Sequence, residues 1–163
     1  MTTMKHLVPI ALLLLAACGP SDPKALADEG NSALGKGDAK SALAKFDEAL
    51  VGLDPSHEQY VRASIGRCEA LAKTDGPAAV KSFLELAGKV PAKVGEGDYS
   101  LICSKLLQGG FTLEAIDVMD AGKKRFVGSK KMEETLVAVQ AAAKKQSTPD
   151  ALKKLASLGY AGD

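Results

Sequence analysis

Residues 30–50 read GNSALGKGDAKSALAKFDEAL and contain two amphipathic segments on either side of Gly37-Asp38. In the second segment Ala42 is followed four positions later by Phe46 and then by Ala49, so small and large apolar side chains share one helical stripe. Gly and Asp between the segments favour a tight turn. The stretch therefore predicts a helical hairpin with a narrow packing face.

The same pattern recurs along the chain. Ala42, Ala79 and Ala115 stand about 36 residues apart, a spacing typical of helical repeats. A second amphipathic segment precedes each of them. The pattern predicts helices at roughly 23–36, 39–52, 56–73, 77–89, 98–108, 112–126, 129–146 and 149–158. Possible capping residues stand before Pro at three of these starts: Asp22-Pro23, Gly76-Pro77 and Thr148-Pro149.

Composition agrees with one helical domain. Of the 163 residues, 46% are hydrophobic and only 4% are aromatic, with no Trp, so an all-β sandwich is not expected. The formal net charge is +1, and nucleic-acid binding would need a stronger basic balance and aromatic stacking groups. Basic pairs become frequent after residue 121. We interpret them as solvated helix ends that complement the helix dipole, with an anionic surface as the alternative.

The first seventeen residues are predicted to be a secretory signal rather than part of the fold. Lys5 and His6 precede an apolar run, 7–17, that is too short to cross a bilayer. The run ends in Leu15-Ala16-Ala17-Cys18, which resembles the lipobox of bacterial lipoproteins. The resemblance implies removal of residues 1–17 and covalent lipid on Cys18, with residues 18–22 as a linker. Gly19, rather than the Asp that retains lipoproteins in the inner membrane, implies the periplasmic face of the outer membrane; a chance Cys beside an ordinary signal is the alternative.

The hairpin pattern resembles the tetratricopeptide repeat (TPR) over residues 23–128. The match is carried by Gly30, Gly37-Asp38, Ala42, Phe46 and Ala49, which stand at that family's spacing. The resemblance implies an all-α fold over residues 23–158: a right-handed α-α superhelix of about three helical hairpins with C-terminal capping helices, and a short tail at 159–163. An unrelated helical bundle is the alternative.

One position of the second hairpin departs from the repeat pattern. Arg67 stands where the family has a small residue, so we expect this helix pair to be splayed or shifted.

The family pattern also implies which residues of each hairpin's first helix face a concave groove. The candidate partner-binding residues are Lys24, Asn31, Leu34, Ser64, Leu71, Ser104 and Leu107. They lack the cluster of Lys, Arg and Asn with which some members hold a peptide's terminal carboxylate. The expected partner is instead a helix or extended protein segment laid against the leucines.

No catalytic residues, metal site or cofactor are expected apart from the lipid on Cys18. His57 is the only imidazole once the signal is removed, which leaves no partner for zinc binding or acid-base chemistry. Residues 30–36 mimic a phosphate-binding loop, but Gly37 stands where Ser or Thr should bind Mg²⁺. Neighbouring carboxylates such as Asp47-Glu48 point in different directions on a helix.

Two further cysteines leave two alternatives open. In an exported protein Cys68 and Cys103 could form a disulfide between neighbouring hairpins. The alternative is that Cys103 fills the small-residue position that Gly30 fills in the first hairpin, since Cys packs as a small apolar residue.

The sequence thus favours a non-catalytic, membrane-anchored lipoprotein that uses a TPR-like groove as a protein-protein interaction scaffold in the cell envelope. Secretion, pilus assembly and envelope assembly are the processes such an accessory would serve. The alternative is an envelope receptor for a small ligand, or an enzyme, with a pocket around His57 and either Arg62 or Arg67.

Overall fold

The computed structural model describes residues 22–160 as helices and short connections, without a strand in this range. The predicted signal (1–17), the lipidation site Cys18, the rest of the linker before Asp22, and residues 161–163 of the tail lie outside the described residues. The prediction of an all-α fold is confirmed. The helices are α1 Pro23–Gly35, α2 Ala39–Gly52, α3 Glu58–Leu71, α4 Gly76–Lys89, α5 Glu96–Gln108, α6 Thr112–Arg125, α7 Lys130–Lys145 and α8 Pro149–Ser157.

Helix starts follow local capping chemistry. The Asp22 carboxylate accepts a hydrogen bond from the Lys24 N–H at 3.0 Å, which places Pro23 at the first position of α1. The expectation that Gly76 caps α4 is wrong. Asp75 is the cap, because its carboxylate accepts from the Ala78 N–H at 3.0 Å and can satisfy a free helical donor that Gly76 cannot.

The connection between α4 and α5 contains regular structure that the sequence does not predict. A 3₁₀ turn at Pro91–Lys93 is followed by Val94, which is buried in the core. The Gly95 N–H donates to the Asp98 carboxylate at 2.8 Å, so α5 begins at Glu96, two residues before the predicted start.

The helices pack as antiparallel neighbours in two layers. Among the first helices of the hairpins, α1 contacts α3, α3 contacts α5 and α5 contacts α7; in the other layer α4 contacts α6 and α6 contacts α8. A main core extends from α3 to α8, and a smaller core lies between α1, α2 and α3. None of the described helices has the length and hydropathy needed to span a membrane.

Phe46 joins the first two hairpins. Its fully buried ring lies between Gly30 of α1 and Gly66 of α3. A Cβ added to Gly30 would lie 2.8 Å from Cε1 of this ring, and one added to Gly66 would lie 2.5 Å from Cζ. Gly66, rather than Arg67, therefore fills the small-residue position facing the ring. Arg67, the next residue of α3, instead donates hydrogen bonds to Asp47 and Ser82.

An aromatic cluster joins the later hairpins. Tyr99 of α5 packs edge-on against Phe83 of α4 at 4.8 Å and against Phe126 at 5.6 Å between ring centroids. Gly122 of α6 lets α7 approach, because a Cβ there would lie 2.5 Å from Sδ of Met132. The core of the second half is thus larger and more aromatic than the core around Phe46.

Candidate partner-binding surface

The residues predicted to line one groove are distributed over several separate places. Lys24 lines a shallow cleft at the start of α1, Asn31 is exposed, and Leu34 packs at the margin of the Phe46 core. Ser64 lines a cleft beside Arg67. Leu71 is only 6% exposed and belongs to the main core, so it offers a partner almost no surface.

Ser104 and Leu107 are the two predicted groove residues that the structure brings together. They line a cleft of about 240 Å³ between α5 and α7, here called the α5–α7 cleft. Its other lining residues are Ser100, Cys103, Lys131, Glu134, Thr135 and Ala138. Half of this lining comes from α7, a helix that the sequence indicated only as a cap.

One hydrogen bond, between Thr135 and Ser100, joins the two walls of the α5–α7 cleft. The Thr135 hydroxyl donates to the Lys131 carbonyl at 2.8 Å and shares a hydrogen bond with the Ser100 hydroxyl at 3.0 Å. Because a helical Thr commonly bonds back to the preceding turn, this geometry orients Oγ1 towards α5. The cleft is therefore a preformed feature rather than a loose gap.

Cys103 forms part of the floor of this cleft. Its thiol donates to the Ala115 carbonyl at 3.5 Å, and burial raises its pKa to about 12. At neutral pH the group is an uncharged thiol and a poor nucleophile.

An apolar strip continues the α5–α7 cleft along the exposed face of α7. Val137 is 63% exposed, and Ala138 and Ala141 are exposed beside it. Glu134 and Lys131 lie one and two turns earlier on the same face and place opposite charges at the rim. The turn-by-turn spacing of 134, 138 and 141 is a sequence signal that could have pointed to this face.

A second cleft, here called the Arg67 cleft, lies above α3 between α2 and α4. The Arg67 guanidinium donates to the Asp47 carboxylate on α2 and, at 2.9 Å, to the Ser82 hydroxyl on α4. The Lys89 ammonium donates to the Tyr60 hydroxyl at 3.2 Å. The cleft measures about 300 Å³ and is also lined by Leu50, Ser64, Cys68, Glu85 and Leu86.

Cys68 and Cys103 are both buried free thiols. Burial also raises the pKa of Cys68 to about 12. Of the two alternatives drawn from the sequence, a disulfide and apolar packing, the structure shows apolar packing of both cysteines.

The residues suggested for a ligand pocket do not converge. His57 is exposed beside Lys24, Arg62 pairs with Glu58 in the preceding turn of α3, and Arg67 lines its own cleft. Within residues 22–160 no group of three or more His, Cys, Asp and Glu side chains is placed to hold a metal ion.

Comparisons with protein-family models, curated proteins and solved structures found no match to this chain. The two clefts are therefore interpreted through the chemistry of their own lining residues.

Proposed function

We propose that the protein is a non-catalytic lipoprotein of the bacterial envelope, held by lipid on Cys18 at the periplasmic face of the outer membrane. Its TPR-like hairpins serve as a scaffold for another protein, as an accessory to secretion, pilus or envelope assembly. The observation that carries the binding role is the α5–α7 cleft, which is open, preformed and continuous with the apolar strip of Val137.

The lining of the α5–α7 cleft matches the needs of a protein segment. Ser100 and Ser104 can exchange hydrogen bonds with backbone amides, while Leu107 and Ala138 offer apolar contact. Lys131 and Glu134 at the rim can orient a partner by its charges and add little affinity, since exposed ion pairs are weak. An amphipathic helix lying along α7 would place apolar residues one turn apart over this surface.

The titratable groups of the cleft do not support catalysis. Its cysteine holds its proton firmly, and its single lysine and single glutamate are exposed rim residues. A general acid or base normally has a pKa brought close to the working pH by burial or by a partner. The cleft is therefore better suited to recognition than to proton transfer.

The anchor is tested by Cys18→Ser. We expect loss of incorporated radiolabelled palmitate and accumulation of a soluble or unprocessed form, since the acylated thiol would be missing. A processed variant that stays in the membrane fraction would contradict lipid anchoring.

The binding role is tested by site-specific photocrosslinking in intact cells. A photoreactive residue at Ser104, inside the cleft, is compared with one at Ser157, an exposed serine at the end of α8. We expect a discrete crosslinked partner from position 104 that disappears in a Leu107→Asp background. The same products from both positions, or none from position 104, would contradict a partner in this cleft.

The Arg67 cleft favours a second candidate, a receptor for a small ligand. Arg67 and Lys89 supply donors, Glu85 an acceptor, and Leu50 and Leu86 an apolar base. A screen of small metabolites by thermal shift tests this function. A compound that stabilises the native chain and not the Arg67→Ala variant would favour the receptor over the scaffold.

A further inference from the structure

One edge of the hairpin stack carries the start of α1 and the connection between α2 and α3. Pro23 packs closely against Gly52, since a Cβ added to Gly52 would lie 2.5 Å from Pro23 Cγ. The Lys93 ammonium donates to the Ser56 carbonyl, which joins the α2–α3 connection to the 3₁₀ turn. The first described residues therefore lie on the same edge as two later connections.

The α6–α7 connection continues this edge. The Arg125 guanidinium donates to the Pro91 carbonyl, and the Ser129 hydroxyl donates to the Glu96 carboxylate. We call the whole surface the amino-terminal edge, defined by residues 22–24, 51–57, 91–93 and 124–131.

The two most exposed large apolar side chains of the described residues stand on the amino-terminal edge. Val51 is 89% exposed and Val127 is 88% exposed. Val127 lies in the α6–α7 connection, 126–129, within the segment KKRFVGSKK of residues 123–131, here called the tip. This tip holds five basic residues and no acidic one.

Several of these cations are free to meet a ligand. Lys130 and Lys131 are exposed and make no ion pair with the residues that the structure describes. Lys124 pairs with Asp120 at 2.6 Å but keeps 69% of its side chain exposed. Arg125 lies 5.0 Å from the centroid of the Phe126 ring, which stiffens the base of the tip.

We propose that the amino-terminal edge docks on the surface of an anionic phospholipid bilayer. Val127 enters the boundary between headgroups and acyl chains, while Lys124, Lys130 and Lys131 contact lipid phosphates. The exposed apolar side chain matches the acyl chains of such a surface, and the basic residues around it match the anionic headgroups. Polybasic contact adds to the membrane binding of an acyl chain. A nucleic acid would match the charges but not the exposed valines.

The position of the lipid site supports this orientation. Four residues from Cys18 to Asp22 span at most about 14 Å when fully extended. A lipid on Cys18 would thus hold the amino-terminal edge next to the bilayer. The orientation rests on the proposed anchor, whereas the affinity of the edge for lipid does not.

The affinity is tested with a chain that begins at Gly19, which keeps every described helix and both cores but carries no lipid. Its sedimentation with phosphatidylcholine vesicles containing about 30 mol% phosphatidylglycerol is compared with its sedimentation with phosphatidylcholine alone. We expect binding only to the anionic vesicles, weakening as salt is raised. Failure of this experiment would overturn the docking proposal and leave the lipid anchor standing, because the anchor is tested by Cys18→Ser.

The two ends of α7 provide a matched pair of variants. Lys130→Ala/Lys131→Ala removes two charges from the amino-terminal edge, and Lys144→Ala/Lys145→Ala removes two exposed charges from the opposite end of the helix. Each cation near an anionic bilayer contributes enough for about a 5-fold change in affinity, so we expect about a 25-fold loss for the first variant and little change for the second. Equal losses would overturn the proposal.

Insertion of the tip is tested by fluorescence. The chain has no Trp, so Val127→Trp and Val137→Trp each report a single site. We expect a blue shift on addition of anionic vesicles at position 127 and none at position 137, because only the first enters the bilayer. No shift at position 127, or the same shift at both, would overturn the docking proposal.

Discussion

Replacing Gly66 with Ala tests how the first two hairpins are joined. The added Cβ would lie 2.5 Å from Cζ and 2.9 Å from Cε1 of Phe46, inside van der Waals contact. The ring has little room to retreat because it is fully buried and Gly30 also lies against it, with an added Cβ 2.8 Å from Cε1. To remove this close contact, α3 must move away from α2.

The change in the free energy of unfolding is the sum of two opposing effects. Overpacking by one methyl group costs about 1–3 kcal/mol, and the clamped ring places this site near 3 kcal/mol. Alanine recovers about 1 kcal/mol through its higher helix propensity. We expect the free energy of unfolding to fall by about 2 kcal/mol.

Urea unfolding of the chain from Gly19, followed by far-UV circular dichroism, measures this change. Gly88→Ala in α4 is the matched control, since its added Cβ would meet nothing within 4 Å. We expect the control to gain about 0.5–1 kcal/mol. In Gly66→Ala/Phe46→Leu, the smaller side chain should recover part of the loss. Stabilisation by Gly66→Ala would refute close packing of the Phe46 ring against Gly66. So would changes in the free energy of unfolding for the two single variants that sum, within about 0.5 kcal/mol, to the change for the double variant.

Three further predictions concern an ion pair, the two buried cysteines and Tyr160. Arg67→Ala should lower the free energy of unfolding by about 1 kcal/mol, because its ion pair is partly exposed, with a smaller loss in high salt measured by urea titration. Cys68 and Cys103, with pKa values raised to about 12, should resist a thiol reagent at neutral pH until urea unfolds the chain. Burial raises the pKa of Tyr160 above 10.0, and the hydrogen bond to the Asp120 carboxylate and its negative charge act in the same direction. Its stabilising contribution is therefore complete below pH 10.0 and is lost as the pH rises further, so Tyr160→Phe should flatten the alkaline fall in melting temperature.

Helix positions could be predicted because their signals are local. Caps, prolines and turn glycines act within a few residues, and the predicted α2, 39–52, agrees with Ala39–Gly52. α3 is shorter than predicted, since His57 makes no side-chain capping bond and the helix starts at Glu58. Local sequence signals are thus sufficient to predict the fold class and most of the helix boundaries.

Packing between hairpins could not be predicted from the same signals. Periodicity marks a helix face, but Phe46 from the preceding hairpin decides that Gly66 and not Arg67 occupies the close contact. The groove prediction rests on the premise that each hairpin repeats the first, whereas Leu71 is buried in the main core. The wall that α7 gives to the α5–α7 cleft depends on the same long-range packing.

The Phe46 core has a mechanical consequence. It contains one aromatic ring among small side chains, whereas the main core contains Phe83, Tyr99 and several large aliphatic residues. Tension applied at Asp22 enters α1, which packs through Gly30 against the smaller of the two cores. We expect the first hairpin to unfold at a lower force than the rest of the described chain, because the smaller core stabilises it.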